Sequence, residues 1–387
     1  MQTKKTYSAF ELAIWTRFET LLFIAIGTAW VAANYFLDLS WFKIPWTPLA
    51  LIGTAVAFVI GFQNNSAYGR IWEARKIWGG IVNTSRTLGM FLQDMITNEY
   101  AESPLTKEQL QAEVTTLTYR HIAWMTALRH AMRIPKPWET VINQKTDREL
   151  GIKPPEFDTN VEDDLRPYIS DADLKDALSK NNKQTALLYQ QSHHLRKLKE
   201  QGVIWEFSFL ELEAILQELF TLQGQSERIK NFPYPRQFAT LNHFFMWIFV
   251  LLLPLALVPQ FSEIGNGFKD SHPIIGDLFV WFSIPFYVIV AWVFHTMERI
   301  GRTGENPFEG TANDVPISTM ARGIEIDLRQ NLGESNDEIP EQFQVRDFKI
   351  KETVISRKTK SIQYHLKQLH SFFLAWIALI PKYIHCP

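Results

Sequence analysis

The stretch Pro48-Leu-Ala-Leu-Ile-Gly-Thr-Ala-Val-Ala-Phe-Val-Ile-Gly-Phe62 carries two stripes of residues at four-residue spacing. Residues that stand four and eight positions apart lie on one face of a helix. The first stripe consists of small residues, Gly53, Ala57 and Gly61. Small residues at this spacing let helices approach one another closely in a membrane. The stripe beside it consists of Thr54, Phe58 and Phe62. Together the two stripes predict a pore-lining helix whose small face packs against adjacent pore helices.

The apolar run passes without a proline or another break into a polar sequence. Gln63-Asn64-Asn65-Ser66 follows at once, and a charged stretch continues to Gly79. This continuity is typical of a pore helix that leaves the membrane. The charged residues of this part include Arg70, Glu73, Arg75 and Lys76. These charges either line a vestibule below the apolar run or form salt bridges between helices at a subunit boundary.

Composition indicates a membrane protein with a large aqueous part. Hydrophobic residues make up 46% of the 387 residues, a share close to that of soluble proteins, so only a minority of the chain can lie in lipid. A net charge of −2 argues against a nucleic-acid-binding protein. We therefore expect lipid and other copies of the chain as partners. The single cysteine, Cys386, excludes a disulfide framework and a cysteine-based metal site. Lys4 and Lys5 are followed by further charges before the first apolar stretch, which argues against a cleavable signal peptide.

Four segments are apolar enough to lie in a bilayer: about Phe18–Leu37, Pro48–Phe62, Phe238–Val258 and Ile274–Phe294. A hydrocarbon core of roughly 30 Å needs about 20 apolar residues. The second segment is shorter, which is tolerable only if one face is covered by protein or lines water. The third segment is expected to end at Pro254 and Pro259, and Pro285 is expected to kink the fourth.

Basic residues flank the four spans mainly on one side. They are Lys4 and Lys5, then Arg70, Arg75 and Lys76, then Arg228, Lys230 and Arg236, and finally Arg299 and Arg302. The two short connections on the other side hold only Lys43 and Lys269. The positive-inside rule therefore predicts that both termini and the long middle part lie in the cytoplasm. A bacterial inner membrane is the expected location.

This topology divides the chain into four parts: residues 1–62 with the first span and the pore helix, 63–237 as a cytosolic domain, 238–295 with two spans, and a cytosolic C-terminal region, 296–387, that wraps the assembly. Apolar residues recur at helical spacing in the middle part, whereas strand signals are scarce. The predicted fold class is therefore all-α, with four transmembrane helices per subunit. The segment from about residue 143 to 179, rich in Pro, Asp and Lys, is expected to be a polar loop with at most a short helix.

Four blocks of sequence stand in order around the four spans. They are Gly61-Phe62 with Asn65, Tyr68, Arg70, Trp72-Glu73, Arg75-Lys76 and Trp78-Gly79; Glu227-Arg228-Ile229-Lys230-Asn231 with Pro233 and Pro235; Glu305-Asn306-Pro307-Phe308 with Ala312-Asn313-Asp314; and Ile324-Glu325-Ile326-Asp327-Leu328. In this order they resemble the bacterial branch of the bestrophin family, over roughly residues 10 to 335. The resemblance implies a homopentameric ion channel with one axial pore, a hydrophobic neck in the membrane and a second narrow aperture at the cytosolic end.

The resemblance also implies roles for particular residues. The family's neck positions fall on Thr54, Phe58 and Phe62, the stripe already found from spacing. Periodicity alone leaves open that the two Phe side chains face lipid or a protein core. The aperture position, counted back from the Glu227 block, falls on Leu210. Phe207 and Ala214 are the alternatives one turn away, and a role of Leu210 in a helix core also stays open.

A metal site is not expected. Eukaryotic bestrophins carry a calcium clasp in an acidic run after Asn-Pro-Phe, where this chain has Glu309-Gly-Thr-Ala-Asn-Asp314. Beyond Glu309, Asp314 is the one carboxylate of that run, whereas calcium takes six to eight oxygen ligands, several of them carboxylates. Asn306 and Asp314, with Glu305, are at best weak ligands. Helix capping and turn formation around Pro307 are the favoured interpretation of these residues.

The sequence favours a channel over an enzyme. It holds no His-Glu-x-x-His motif, no phosphate-binding loop and no dinucleotide fingerprint, and no cofactor is expected. An anion such as chloride is the expected ion, because the edges of aromatic rings carry the positive end of their quadrupole. Ring faces would favour cations instead, so a monovalent cation channel is an alternative, and a non-conducting membrane scaffold is another. The apolar segment Phe372–Ile380 is too short to span, and either docks on a neighbouring subunit or lies at the membrane surface.

Overall fold

The computed structural model describes residues 6, 8–37, 41–139, 154–311, 313–343, 345–346 and 349–350. Within these ranges the fold is built from helices. In chain order they are α1 (Ala9–Trp15), α2 (Arg17–Leu37), α3 (Trp46–Met95), α4 (Lys107–Arg133), α5 (Val161–Leu165), α6 (Asp171–Ser179), α7 (Lys183–Glu200), α8 (Glu206–Asn231), α9 (Arg236–Phe268), α10 (Pro273–Leu278), α11 (Ser283–Gly304) and α12 (Ile317–Asn331). Short 3₁₀ turns lie at Pro155–Phe157 and Phe279–Phe282.

Strands are confined, among the described residues, to one small antiparallel pair. It joins β1 (Val345–Arg346) to β2 (Lys349–Ile350), and Val345 is paired with Ile350. The predicted all-α class is confirmed in its essentials. The C-terminal apolar segment Phe372–Ile380 lies outside the described residues.

Four helical segments are long and apolar enough to cross a membrane: Arg17–Leu37, Trp46–Met95, Arg236–Phe268 and Pro273–Gly304. They confirm the four predicted apolar spans. Their shared core includes Phe23, Leu49, Met246, Val250 and Tyr287, drawn from all four segments. At Gly27 of α2, a Cβ atom would lie 2.8 Å from the ring of Tyr287. Close approach of α2 and α11 therefore depends on a residue without a side chain.

Prolines shape the third and fourth spans differently from expectation. Helix α9 does not end at Pro254 or Pro259 but continues through both to Phe268. A helix in an apolar bundle tolerates proline, because neighbouring helices and local adjustments satisfy the freed carbonyl groups. Pro285 does not kink the middle of the fourth span either. The break is the 3₁₀ turn Phe279–Phe282, and Pro285 lies in the first turn of α11, where the missing N–H has no intrahelical partner to lose.

Helix α3 connects the apolar bundle to a second, larger core. It runs for 50 residues, so the boundary expected between residues 62 and 63 lies inside one helix. Its C-terminal half packs with α4, α8 and α12 around residues that include Trp78, Trp124, Leu219 and Leu328. At Gly80, a Cβ atom would stand 2.9 Å from Leu222 of α8.

The expectation of a polar loop over residues 143 to 179 is wrong for its described part. Residues 154–179 form a 3₁₀ turn and the two helices α5 and α6. The side chains of Asn160 and Ser170 cap these helices by accepting bonds from backbone N–H groups. Leu165, Leu174 and Ala177 are buried in the large core. High polarity did not prevent folding here because a few apolar residues reach a core supplied by other helices.

Candidate functional site

The neck stripe, defined as Thr54, Phe58 and Phe62, lies on an exposed face of α3. Phe58 is 67% exposed and Phe62 is 58% exposed. Their rings meet edge to face, with centroids 4.5 Å apart and planes at 88°. The Thr54 hydroxyl donates to the carbonyl oxygen of Ala50 at 2.9 Å and is thus satisfied within the helix. The stripe therefore presents an apolar surface that no other part of the described subunit covers.

The opposite face of this part of α3 is buried. Leu49, Val56 and Ile60 are each at most 3% exposed and belong to the core of the apolar bundle. Burial of these residues fixes the rotation of α3 about its axis. The exposure of Phe58 and Phe62 is therefore set by packing on the other side of the helix.

Gln63, one residue after the neck stripe, is buried in a polar contact between three segments. Its side-chain nitrogen donates to Glu305 Oε1 at 2.8 Å, and Asn242 Nδ2 of α9 donates to its oxygen at 3.1 Å. A buried amide needs such partners because an unsatisfied one is costly in an apolar surrounding. Sequence analysis missed this role. The available signal was a Gln at a position that continues the buried phase of α3, seven residues after Val56.

Arg70 ties α3 to two further chain segments. Its Nε donates to the carbonyl oxygen of Glu305 at 2.7 Å. Its Nη2 donates to the carbonyl oxygens of Ile229 at 3.1 Å and Phe232 at 2.9 Å. These bonds satisfy carbonyl groups at the C-terminal ends of α11 and α8, which lack intrahelical partners. Three of the four blocks that carried the family resemblance therefore meet just below the neck stripe.

The small stripe, defined as Gly53, Ala57 and Gly61, is divided between two surroundings. Gly53 is buried within the subunit, where an added Cβ would lie 2.7 Å from the ring of Phe249 in α9. Ala57 and Gly61 are exposed, and a Cβ at Gly61 would meet nothing within 4 Å. Packing of Ala57 and Gly61 against adjacent pore helices stays a prediction.

Close helix approach on the buried side of α3 comes from two glycines of α11. A Cβ at Gly301 would stand 2.7 Å from Oδ1 of Asn64, and one at Gly304 would stand 3.1 Å from Cβ of Ala67. Sequence analysis did not identify this pair. Its signal, two small residues three apart near the end of the fourth span, is weak without knowledge of the partner helix.

The three aperture candidates lie on one exposed face of α8. Leu210 is 55% exposed, Phe207 is 62% exposed, and Ala214 is also exposed. The core interpretation of Leu210 therefore does not hold within the subunit, where Leu212 and Leu216 are the buried leucines of this part of α8. Phe207 packs against Trp205 with ring centroids 4.7 Å apart. The choice of Leu210 over its two neighbours stays a prediction.

The weak metal candidates are engaged in internal contacts. Asp314 is buried and accepts bonds from Arg133 Nη1 at 3.0 Å and from the backbone N–H groups of Gly310 and Val315, each at 2.6 Å. Burial raises the pKa of Asp314 to about 6, although these donors pull it down. Asn306 donates to Glu309 Oε1 at 2.7 Å. Asp314 thus serves as the partner of a buried guanidinium. No group of three or more His, Cys, Asp or Glu placed to hold a metal occurs in the part of the chain that the structure describes.

The charges below the neck stripe divide into two kinds. Glu73 accepts a bond from Arg228 Nη2 of α8 at 2.7 Å, which is a salt bridge between helices of one subunit. Arg75 and Lys76 are exposed. The observed salt bridge joins two helices of one chain rather than two subunits, and a vestibule lined by Arg75 and Lys76 stays a prediction.

Comparison with known proteins connects this geometry to one family. The family model described as Bacterial/Fungal Bestrophin protein matches residues 8–270 and 271–330. A voltage-dependent anion channel-forming protein of Ralstonia nicotianae is 28% identical over 289 residues, which cover 74% of this chain and 78% of the relative. The voltage-dependent anion channel-forming protein YneE of Escherichia coli strain K12 is 25% identical over 310 residues, covering 77% and 83% of the two chains.

Solved structures show the same fold. The crystal structure of a bacterial bestrophin homologue from Klebsiella pneumoniae superposes with a TM-score of 0.65 and 20% sequence identity. It covers 82% of this chain and 98% of the solved chain. The helical bundle and the larger core described above therefore form one known architecture.

Proposed function

Because the chain belongs to the bacterial and fungal bestrophin family, we propose that it forms an anion channel whose constriction is the neck stripe Thr54, Phe58 and Phe62. The observation that carries the proposal is the bare pair of Phe rings on a helix whose opposite face is buried. Apolar rings of this kind can stop ion flow by excluding water from a narrow pore. The relatives from Ralstonia and Escherichia are both named voltage-dependent anion channel-forming proteins, which supports the choice of anions.

The channel proposed is a homopentamer around one axial pore in the bacterial inner membrane, with both termini in the cytoplasm. A single copy leaves the neck stripe, Ala57 and Gly61 uncovered, and other copies of α3 would close this face into a lumen. Permeating small ions, lipid and the other subunits are the partners. Chloride is the proposed ion, because the positive edges of the Phe rings favour an ion that sheds part of its water.

A monovalent cation channel is the second candidate. Glu211 and Glu218 are exposed on α8, beside the aperture candidates Leu210 and Ala214. Carboxylates near a pore exit raise the local cation concentration. The sign of the charge that dominates along the permeation path therefore decides whether the channel passes anions or cations.

Reversal potentials distinguish these functions. Purified full-length protein would be reconstituted into planar bilayers under a potassium chloride gradient. An anion channel gives a reversal potential near the chloride equilibrium value, whereas a cation channel gives one of opposite sign. A protein that carries no current, either as wild type or with Phe58 and Phe62 both replaced by Ala, would be a non-conducting scaffold.

A further inference from the structure

Lys76 lies on the same helix face as Phe58. The two residues are eighteen positions apart in α3, which is five turns at about 3.6 residues per turn. The helix has no break between them, so at about 1.5 Å per residue the Lys76 Cα lies roughly 27 Å below that of Phe58. A pore axis that runs parallel to α3 and is faced by Phe58 is therefore also faced by Lys76.

The exposed surface is continuous between these two residues. Asn65, Gly69 and Trp72 follow Phe62 at spacings of three or four and are all exposed. On the opposite side, Ala67 and Ala74 are at most 2% exposed. The uncovered face of α3 thus extends from the apolar bundle into the cytosolic part without a change of direction.

Lys76 is the free cation on this face. Neighbouring charges are committed elsewhere, since Glu73 is paired with Arg228 and Arg70 binds carbonyl oxygens. Among the described residues, Lys76 forms no ion pair and no side-chain hydrogen bond. Arg75 is similarly exposed, but adjacent residues of a helix point about 100° apart, so Arg75 lies to the side of this face.

The two exposed carboxylates beside the aperture candidates on α8, Glu211 and Glu218, lie farther from the neck than Lys76. Helix α8 runs antiparallel to the lower half of α3, because Arg228 meets Glu73 and Leu222 meets Gly80. Glu218 and Glu211 come before Leu222 in the chain and therefore lie on the side away from the neck. At physiological ionic strength, charges are screened over about 8 Å, so Lys76, whose Cα lies roughly 21 Å below that of Phe62, acts on ions in the vestibule beside it rather than at the neck itself.

We propose that Lys76 determines ion selectivity, by placing one ammonium group per subunit in the vestibule between the neck stripe and the cytosolic exit. The inference rests on the proposed pore. A ring of ammonium groups concentrates anions in the part of the vestibule through which ions reach the neck from the cytosol, and depletes cations there. The neck stripe supplies the barrier, and Lys76 sets which ions arrive at it.

Substitutions at Lys76 test the charge directly. We expect Lys76→Gln to lower the anion-to-cation permeability ratio at least about threefold and Lys76→Glu to lower it further, whereas Lys76→Arg leaves it unchanged. The matched control is Arg75→Gln, with a smaller change. Each shift should diminish at high ionic strength, which a merely structural defect would not reproduce. Equal permeability ratios in wild type and Lys76→Glu, or equal effects of Lys76→Gln and Arg75→Gln, would overturn the proposal.

A cysteine variant tests accessibility in an assembled channel. Lys76→Cys in a Cys386→Ser background carries one thiol, which a cationic methanethiosulfonate reagent converts to a positive group. We expect this reagent to restore the wild-type ratio and an anionic reagent to lower it. An unreactive thiol, or loss of the pentamer in both Lys76→Gln and Lys76→Arg, would instead place Lys76 at a subunit contact.

Failure of this inference differs from failure of the proposed function. Suppose that replacement of both neck Phe residues raises the current while Lys76 variants keep the wild-type permeability ratio. The proposed pore is then supported, and the proposed role of Lys76 is refuted. If the wild-type protein and the double Phe variant both carry no current, the pore itself is refuted.

Discussion

Helix α3 is packed differently in its two halves: the upper half belongs to the apolar bundle, and the lower half belongs to the large core. In the lower half, Trp78, Ile81 and Leu88 are at most 1% exposed, and α4, α8 and α12 surround the helix. In the upper half, the helix is covered on one side alone, and Phe58 is two-thirds exposed. The large core buries the lower half of the helix within one chain. The upper half is an incomplete surface, and that incompleteness is the feature we associate with function.

The largest expected difference between the halves concerns stability. Trp78→Ala should destabilise the protein by about 3–5 kcal/mol, because it leaves a cavity in a closed core. Phe58→Ala should change subunit stability by no more than about 0.5 kcal/mol, because its ring has few partners within the subunit. Thermal unfolding in detergent measures both. Similar losses for the two variants would mean that the halves do not differ as described.

Two glycines of the upper half offer a sharper contrast. Gly53→Leu should destabilise the subunit by about 1–3 kcal/mol, since even a Cβ would lie 2.7 Å from Phe249. Gly61→Leu should leave subunit stability unchanged and shift the protein away from the pentamer in native mass spectrometry, because its surroundings within the subunit are empty. A stable pentamer of Gly61→Leu would remove Gly61 from the subunit interface.

Replacement of Gln63 tests how much the buried polar contact at the junction of the two halves stabilises the protein. Gln63→Ala should destabilise the protein by about 1–3 kcal/mol, because Glu305 Oε1 and Asn242 Nδ2 both lose a buried partner. The matched control is Gln93→Ala on the same helix. Gln93 is exposed and donates to the carbonyl oxygen of Asn331 at 3.0 Å, so its replacement should cost less than about 0.5 kcal/mol. Equal losses of stability in Gln63→Ala and Gln93→Ala would show that the buried hydrogen bonds of Gln63 do not stabilise this junction.

The smallest effect on stability should accompany a clear effect on conduction. Replacing Phe58 and Phe62 together by Ala should leave the unfolding temperature nearly unchanged, because both rings are mostly exposed. The same variant should raise single-channel current, since a less apolar and wider neck holds water more easily. Unchanged conductance and open probability would show that these rings do not constrict the pore.

Periodicity identified the exposed stripe of the upper half but not its surroundings. The four-residue spacing of Phe58 and Phe62 is enough to place both on one face, because a helix has about 3.6 residues per turn. It could not show that Gly53 meets Phe249, a contact between positions far apart in the chain. The order of the spans was predictable for the same local reason, since a run of apolar residues needs no partner to be recognised.

Contacts between distant segments account for what the sequence did not reveal. Glu305 was considered as a weak metal ligand, yet its side chain binds Gln63, and Asp314 binds Arg133 of α4. Residues 143–179 were expected to be a polar loop with at most a short helix, because Pro, Asp and Lys are frequent there, whereas the described part, 154–179, forms a 3₁₀ turn and two helices. A few buried side chains such as Leu165 and Leu174 are sufficient for helices when the rest of the core comes from elsewhere.

The uninterrupted length of α3 has a mechanical meaning. A helix of 50 residues is about 75 Å long and, lacking an internal break, joins the neck stripe to the large core as one element. With side chains extending about 5–6 Å from the axis, a turn of about 20° would move the ring of Phe58 sideways by roughly 2 Å. The upper half can turn in this way only together with the helices that bury Leu49, Val56 and Ile60. Torque on the large core can therefore reach the neck stripe through a helix that does not have to bend.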